Sequence, residues 1–394
     1  MRSTKTRGNT AKKSNARVSN FDVMAGPNMI GDDDTMRDLR MLYELILDAD
    51  DFGMSEQMDL EELFGAMRTV DDVKAILIGQ DSYNNPEKIT AMAFSYRRGQ
   101  PPTGSVKEII LAALKSRDEH DPTLLETVED GYLGTWRDQG LLMVNSDGPG
   151  VNELLKSIMH TSGDRVCGIL LGTEAQKMSH HFKTAFYWNH PSRRSVINND
   201  PNDSRHWNHT DVFWRANDHI FSTGRMPINW ATVAGRKTLW CFTDGAYSST
   251  KKEGASSFVM FGGLQNFLGE AAKKSKSIKT NNVGELTAII DVLAYASQYK
   301  MGSIVILSDS EYCVKSVMIW YHKWVQEDTL GDKSNVDLIS KIVKIIADAQ
   351  AIGTKIKLQH VRGHQTEPSD KTSKEYFFWM GNDRADKMIN YTSK

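Results

Sequence analysis

VKAILIGQDSYNN, residues 73–85, decides how the first half of this chain is read. The largely apolar run from Val73 to Ile78 has strand length, stops at Gly79 and passes straight into Gln80 and Asp81. Three more short runs follow, at 141–144 (LLMV), 166–171 (VCGILL) and 184–188 (TAFYW), with helical patterns between them. Runs apolar on both faces predict a parallel sheet covered by helices on both sides. Ligands of such sheets bind beyond the carboxyl ends of the strands. Those ends carry Asp81, Asn145, Gly172-Thr173 and Asn189-His190-Pro191-Ser192. A single Asp after a strand is ordinarily a helix cap or turn residue. Four polar strand ends on one sheet argue instead for a shared site.

The chain has 394 residues, long for one domain and sufficient for two. Hydrophobic residues at 40% and charged residues at 25% place it among globular proteins. No apolar run approaches the roughly 20 residues of a membrane span, and no apolar secretory segment opens the sequence. Cys167, Cys241 and Cys313 have no metal-ligand spacing and read as reduced core residues, which predicts an intracellular protein. The net charge of −2 gives no global basic signature, but residues 1–21 hold Arg2, Lys5, Arg7, Lys12, Lys13 and Arg17 without one acidic residue. That stretch reads as a solvated, disordered tail, with a phosphate-binding arm or a nuclear address as the sharper alternative. The expected organisation is a basic tail at 1–34, an α/β unit at 35–230, a hinge at 231–236 (ATVAGR) and a second unit at 237–394. The second unit opens with the strand KTLWCFT at 237–243.

The first unit resembles the main family of uracil-DNA glycosylases through GQDSYNNP (79–86), AMAFS (91–95), PPTGS (101–105), GTWRDQGLLMVN (134–145), GTEAQK (172–177), HPS (190–192) and RMPINW (225–230). The resemblance implies a four-stranded parallel sheet with flanking helices and metal-free cleavage of an N-glycosidic bond. Asp81 would orient the attacking water, and Gln80 beside it in the same loop would contact the substrate. His190 would donate to the uracil oxygen as it becomes anionic. Asn145 would read the edge of the flipped base, Phe94 would stack on it, and Tyr83 would exclude thymine. Ser105, Thr173 and Ser192 would hold phosphates. The family's usual Pro, His and Gly in the first loop are here Ser82, Asn84 and Asn85, and its Pro-Leu after HPS is Arg193-Arg194. Arg194 can bind phosphate but is a poorer apolar wedge, so altered base flipping is expected. Gln57 to Phe64 also resembles a sliding-clamp-binding box, but Leu60, Leu63 and Phe64 at helical spacing favour a core-facing helix.

In the second unit, carboxylates again follow apolar runs: Asp244 after LWCFT, Glu285 opening ELTAIIDVLAYA, Asp309 after SIVILS, and Asp386 one helical turn beyond Asn382. Each has an innocent reading as a cap or a solvated turn. Four in series would crowd like charges, which is unfavourable without cations between them. FTDGAYS (242–248), TNNVGELTAI (280–289), LSDSEYCVKSV (307–317), HVRGH (360–364) and NDRADKM (382–388) resemble ribonuclease H. That implies a mixed sheet with helices and two divalent ions, Mg²⁺ or Mn²⁺, on Asp244, Glu285, Asp309 and Asp386. His364 would assist proton transfer or product release, and Asn281, Asn282 and Gln365 would contact the minor groove and 2′-hydroxyls. Asn382 is expected to support Asp386. The segment after WYHKW (320–324), often basic in that family, is acidic here with Glu327, Asp328 and Asp332.

The combined expectation is a bifunctional DNA-maintenance enzyme acting on uracil-containing DNA and RNA–DNA hybrids, with replication proteins as possible partners. The alternatives are a first unit reduced to a DNA-binding or scaffold module, and a second unit that cuts DNA alone.

Overall fold

The computed structural model describes residues 38–49, 59–80, 90–115, 127–192, 200, 202–263 and 266–392. The basic tail, the first-loop residues Asp81 and Tyr83, and Arg193-Arg194 lie outside the described residues.

Helix α1 (Leu39–Ala49) buries Leu39, Leu42, Tyr43 and Ile46, the one-face spacing of an amphipathic helix. Helix α2 (Leu60–Phe64) starts at Asp59, whose carboxylate accepts from the Glu62 N–H. Leu63 and Phe64 are buried in it, as a core-facing helix requires. Strand β1 (Ala75–Gly79) is buried along its whole length. Helices α3 (Gly104–Leu114) and α4 (Gly134–Arg137) lead to β2 (Leu141–Asn145). Helix α5 (Val151–Ser162) leads to β3 (Cys167–Leu171), and α6 (Thr173–Lys177) to β4 (Ala185–Trp188). Helix α7 (Val212–Ser222) completes the layer. The sheet order is β2-β1-β3-β4 and every pairing is parallel. Apolar clusters cover both of its faces, which is why the strands lack the alternation of a half-exposed sheet.

The second unit is a mixed five-stranded sheet. Strands β5 (Leu239–Ser248), β6 (Glu253–Gly262) and β7 (Asn266–Ser275) form an antiparallel meander. Helix α8 (Asn281–Ala296) crosses over to β8 (Ser303–Ser308), which runs parallel to β5. Then come α9 (Glu311–Lys315), a π-helical turn (Ser316–Trp320), α10 (Tyr321–Gln326) and α11 (Val336–Ala351). Strand β9 (Lys355–His360) closes the order β7-β6-β5-β8-β9, and α12 (Lys374–Thr392) packs on the sheet. No helix among the described residues is long and apolar enough to cross a membrane.

The first part of the stretch read as a hinge packs inward, while Gly235 and Arg236 are exposed. Trp230–Ala234 forms a 3₁₀ turn in which Trp230, Ala231, Thr232 and Ala234 are buried. Asn229 caps it, its side-chain oxygen accepting from the Ala231 N–H at 3.1 Å.

Lys74 sits where the units meet, with its ammonium turned inward to donate to the Met226 carbonyl at 2.8 Å. Burial, then Arg225 and Lys300, push its pKa down to about 7, against a smaller opposite pull from Asp72. The unfolded chain therefore holds this proton to higher pH than the folded one, so the contribution of Lys74 to stability rises as pH climbs from about 7 towards about 10.4. Lys74→Met is expected to raise Tm by about 3 °C or more near pH 6.5, with the gain shrinking towards pH 10. Thermal melts of both proteins across that range check it, and a pH-independent difference would contradict it.

Candidate active sites

At the carboxyl rim of the first sheet, register places Asn145 directly beside Gly79. A Cβ at position 79 would lie 2.7 Å from Asn145 Oδ1 and 3.0 Å from the Phe94 ring, so the missing side chain is the space these two groups occupy. Phe94 holds φ at +61°, a left-handed conformation that costs an ordinary residue about 1 kcal/mol or more. His190 lies against it with ring centroids 5.7 Å apart. The Ser192 N–H donates to His190 Nδ1 at 3.2 Å, so a neutral ring carries its hydrogen on Nε2 and presents a donor there. Ser146 donates to the Gln80 carbonyl at 3.0 Å, tying the half-buried start of the first loop to the end of β2.

Asn145 and Phe94 therefore meet over Gly79, and His190 lies against Phe94. Ser105 lies in the first turn of α3, exposed Thr173 opens α6, and half-buried Ser192 sits two residues past His190. Asp81, Tyr83 and Arg194 fall outside the described residues.

The second site rests on three backbone crossings. Strands β5 and β8 pair Thr243 with Ser308, so the next residues, Asp244 and Asp309, emerge side by side. Helix α8 begins at Thr280, whose hydroxyl accepts from the Val283 N–H, and its first turns cross β5 at Gly245. A Cβ at 245 would collide with the Glu285 and Gly284 backbone, so glycine lets the helix bring Glu285 down onto Asp244. The ligand oxygens of Asp244, Glu285 and Asp309 all lie within 4.8 Å of one another.

Charge crowding is visible in the proton affinities of Asp244 and Glu285. Burial, then Asp309 and Asp386, raise Asp244 to about 6. Burial, then Asp244 and Asp309, raise Glu285 to about 10. Ser308, fully buried, donates to Glu285 Oε2 at 3.4 Å while accepting from the Ser310 N–H. The Gly245 N–H donates to Asp244 Oδ1 at 2.8 Å. Asp386, half-buried on α12, is close enough to raise Asp244 but is not one of the three clustered carboxylates. The Ser257 hydroxyl, donating to the Ala385 carbonyl at 2.7 Å, fixes the helix beside it.

Asn382 does something other than expected. Its amide donates to Asp309 Oδ2 at 3.4 Å, so it braces Asp309. Its Oδ1 is buried with no hydrogen-bond partner among the described residues. An orphaned acceptor beside clustered carboxylates suits a site that takes a hydrated cation. Three clustered hard oxygen donors fit Mg²⁺ or Mn²⁺ equally well. Asn382→Ala is expected to weaken divalent binding about 10–100-fold in a calorimetric titration, and unchanged affinity would rule that role out.

His364 is exposed at φ +51°, in the loop after β9. That loop is anchored twice. Gly363 abuts the Asp309 carboxylate so closely that a Cβ there would collide with it, and the Trp379 indole of α12 donates to the Gln365 carbonyl at 2.9 Å. Exposed Asn281 accepts from the Tyr247 N–H at 2.8 Å, and Asn282 is exposed beside it. Ser308, Gly363 and His360, whose Nε2 lies 3.2 Å from the Asp309 carbonyl, went unrecognised in the sequence. The one available signal was that Ser308 and Gly363 neighbour Asp309 and His364.

Residues 236–393 match the RNase H family model. The second unit is ribonuclease H-like, and the N-terminal region matches uracil-DNA glycosylases. The uracil-DNA glycosylase of equine herpesvirus 1 (strain Ab4p) is 30% identical over 178 residues, 40% of this chain and 52% of that protein. Uracil-DNA glycosylase 2 of Listeria monocytogenes serovar 1/2a is 27% identical over 194 residues, 44% of this chain and 80% of that one. Ribonuclease H of Schizosaccharomyces pombe is 27% identical over 175 residues, 40% of this chain and 61% of that one. The chain thus spans about half the length of the herpesvirus relative.

Proposed function

We propose that this chain is a bifunctional hydrolase that excises uracil from DNA and cuts the RNA strand of RNA–DNA hybrids. The observation that carries the reading is the pair of dissimilar clusters: Asn145 and Phe94 over Gly79 with His190 against Phe94, and three carboxylates within 4.8 Å of one another.

In the glycosylase-like unit, Asn145 offers both a donor and an acceptor to the edge of a flipped base, and the Phe94 ring offers a face. The Ser192 N–H on Nδ1 leaves His190 Nε2 as the donor for the oxygen that gains charge as the base departs. Asp81 is assigned to orient the attacking water, with Tyr83 excluding thymine and Ser105, Thr173, Ser192 and Arg194 holding phosphates.

In the ribonuclease H-like unit, Asp244, Glu285 and Asp309, with Asp386, would hold two divalent ions, which supply Lewis acidity to the attacking water and the leaving oxygen. Ser308 and Asn382 keep Glu285 and Asp309 in place. His364 serves proton transfer or product release. Asn281, Asn282 and Gln365 contact 2′-hydroxyls, by which RNA is told from DNA.

The test uses the intact chain on two substrates. Uracil release from DNA should persist in EDTA, while cleavage of the hybrid should need Mg²⁺ and exceed cleavage of duplex DNA. Uracil release absent under every condition would leave the first unit a binding module. Equal cleavage of duplex DNA would make the second a general nuclease.

A further inference from the structure

The junction between the units is built through one short segment, 226–230 (MPINW), and nearly every residue of it is fixed from one unit or the other. The Met226 N–H donates to Gln298 Oε1 of the second unit at 3.0 Å, while its carbonyl accepts from Lys74 of the first. The Met226 side chain is buried in the second unit's core with Leu239, Met260 and Tyr299. Two residues on, Ile228 belongs to the first unit's core and exchanges two hydrogen bonds of 2.9 Å with the buried Asn217 side chain. Asn229, fully buried, exchanges hydrogen bonds with the Gln139 side chain and sends its own amide to Tyr299 Oη at 3.0 Å. Tyr299 in turn donates to the Lys237 carbonyl at 3.0 Å. Trp230 returns to the first core, its carbonyl accepting from the Trp136 indole at 2.8 Å.

A second contact flanks this one. Phe221, at the end of α7, stacks on Tyr295 with centroids 4.6 Å apart and meets Phe258 edge-on at 6.1 Å. A Cβ on Gly269 of β7 would lie 3.0 Å from the Phe221 ring, so the ring lies flat against that strand. Phe221 and Met226 therefore belong to the first unit by sequence and to the second by packing. Separation would take the buried Asn229 amide from Tyr299 and the Met226 N–H from Gln298, and would expose the apolar surfaces of Met226 and Phe221 that pack in the second unit.

We propose that the two units are an obligate pair that folds as one cooperative body, with 226–230 as a strut shared by both cores, so that any event stabilising one unit stabilises the other. Independent domains joined by a linker melt separately, whereas a shared strut makes local opening of either unit cost both. The consequence for function is linkage: a ligand at the acidic cluster protects the strands that carry the uracil-site residues. Only that consequence rests on the divalent-ion reading.

Hydrogen exchange followed by mass spectrometry on the full chain tests both parts. The observed peptides cover β1 (Ala75–Gly79) and β8 (Ser303–Ser308). Ile304→Ala, a core substitution confined to the second unit, should accelerate exchange in both peptides by the same factor, about tenfold or more. Acceleration in β8 with β1 unchanged would overturn the proposal. If that variant does not fold, Ile306→Val supplies a milder perturbation with the same readout. Gln298→Ala combined with Tyr295→Ala should break the equality and split thermal unfolding into two transitions. A single transition retained in that variant would place the coupling elsewhere than this junction. Adding Mg²⁺ to the native chain should slow both peptides. Slowing of neither would refute the divalent reading and leave the Ile304→Ala result to decide the pairing, while slowing of β8 alone would refute the pairing.

Discussion

Glu285→Gln is expected to lower RNA-strand cleavage by at least about 10³-fold while making the metal-free protein more stable at neutral and alkaline pH. Losing an outer partner of a metal ligand costs about 10–100-fold, and a ligand itself should cost more. The stability effect follows from the proton. Glu285 is raised to about 10 in the folded chain, whereas an unfolded Glu titrates near 4.5. The folded state therefore binds more protons between these values, and its stability is lost as pH rises through that window. Gln carries no such proton, so the variant's stability advantage over the native chain should grow as pH rises through that window, on top of the rise that Lys74 gives both. A cation must displace the same proton, so native divalent affinity should climb by up to about tenfold per pH unit between about 6 and 10. Calorimetry at several pH values checks this, and a pH-independent affinity would show that Glu285 is not among the ligands.

Asn145→Ala should lower uracil excision by about 10²–10³-fold, the usual cost of one well-placed donor in a water-excluded site. The loss should be the same in Mg²⁺ and in EDTA. Alanine takes away both the donor and the acceptor at the rim position beside Gly79. Because Phe94 and His190 remain, residual activity should stay above background. A variant within threefold or so of the native rate would remove Asn145 from the site.

The first sheet was legible because its strands are short apolar runs with polar ends, a pattern that burial on two faces imposes on parallel strands, whereas in the second sheet only β5 and β8 stood out as such runs and the rest was implied by the resemblance to ribonuclease H. Asn145, His190, Asp244 and Asp309 were legible for the same reason: each follows such a run directly. Other features came from crossings far apart in sequence. Gly79 reads as a loop residue until β2 and Phe94 are placed against it. Asn382 was paired with Asp386 by helical spacing, but β8 delivers Asp309 to it across 73 residues. Residues 231–236 read as a short hinge, yet Ala231, Thr232 and Ala234 are buried, with Gln139 bonding Thr232 and Asn229, and Tyr299 bonding Asn229, from far off in sequence. Met226 looked like part of the first unit and packs in the second, which no local pattern encodes.

The account stands on two separate chemistries in one chain, and the most direct measurement is reciprocal. Uracil release and RNA-strand cleavage are measured in the same preparations of Asp309→Asn and Asn145→Ala. Asp309→Asn should release uracil at the native rate and leave hybrid uncut, and Asn145→Ala should cut hybrid at the native rate with uracil release down about 10²–10³-fold. Both activities falling together in either folded variant, or neither falling in its own, would contradict the account.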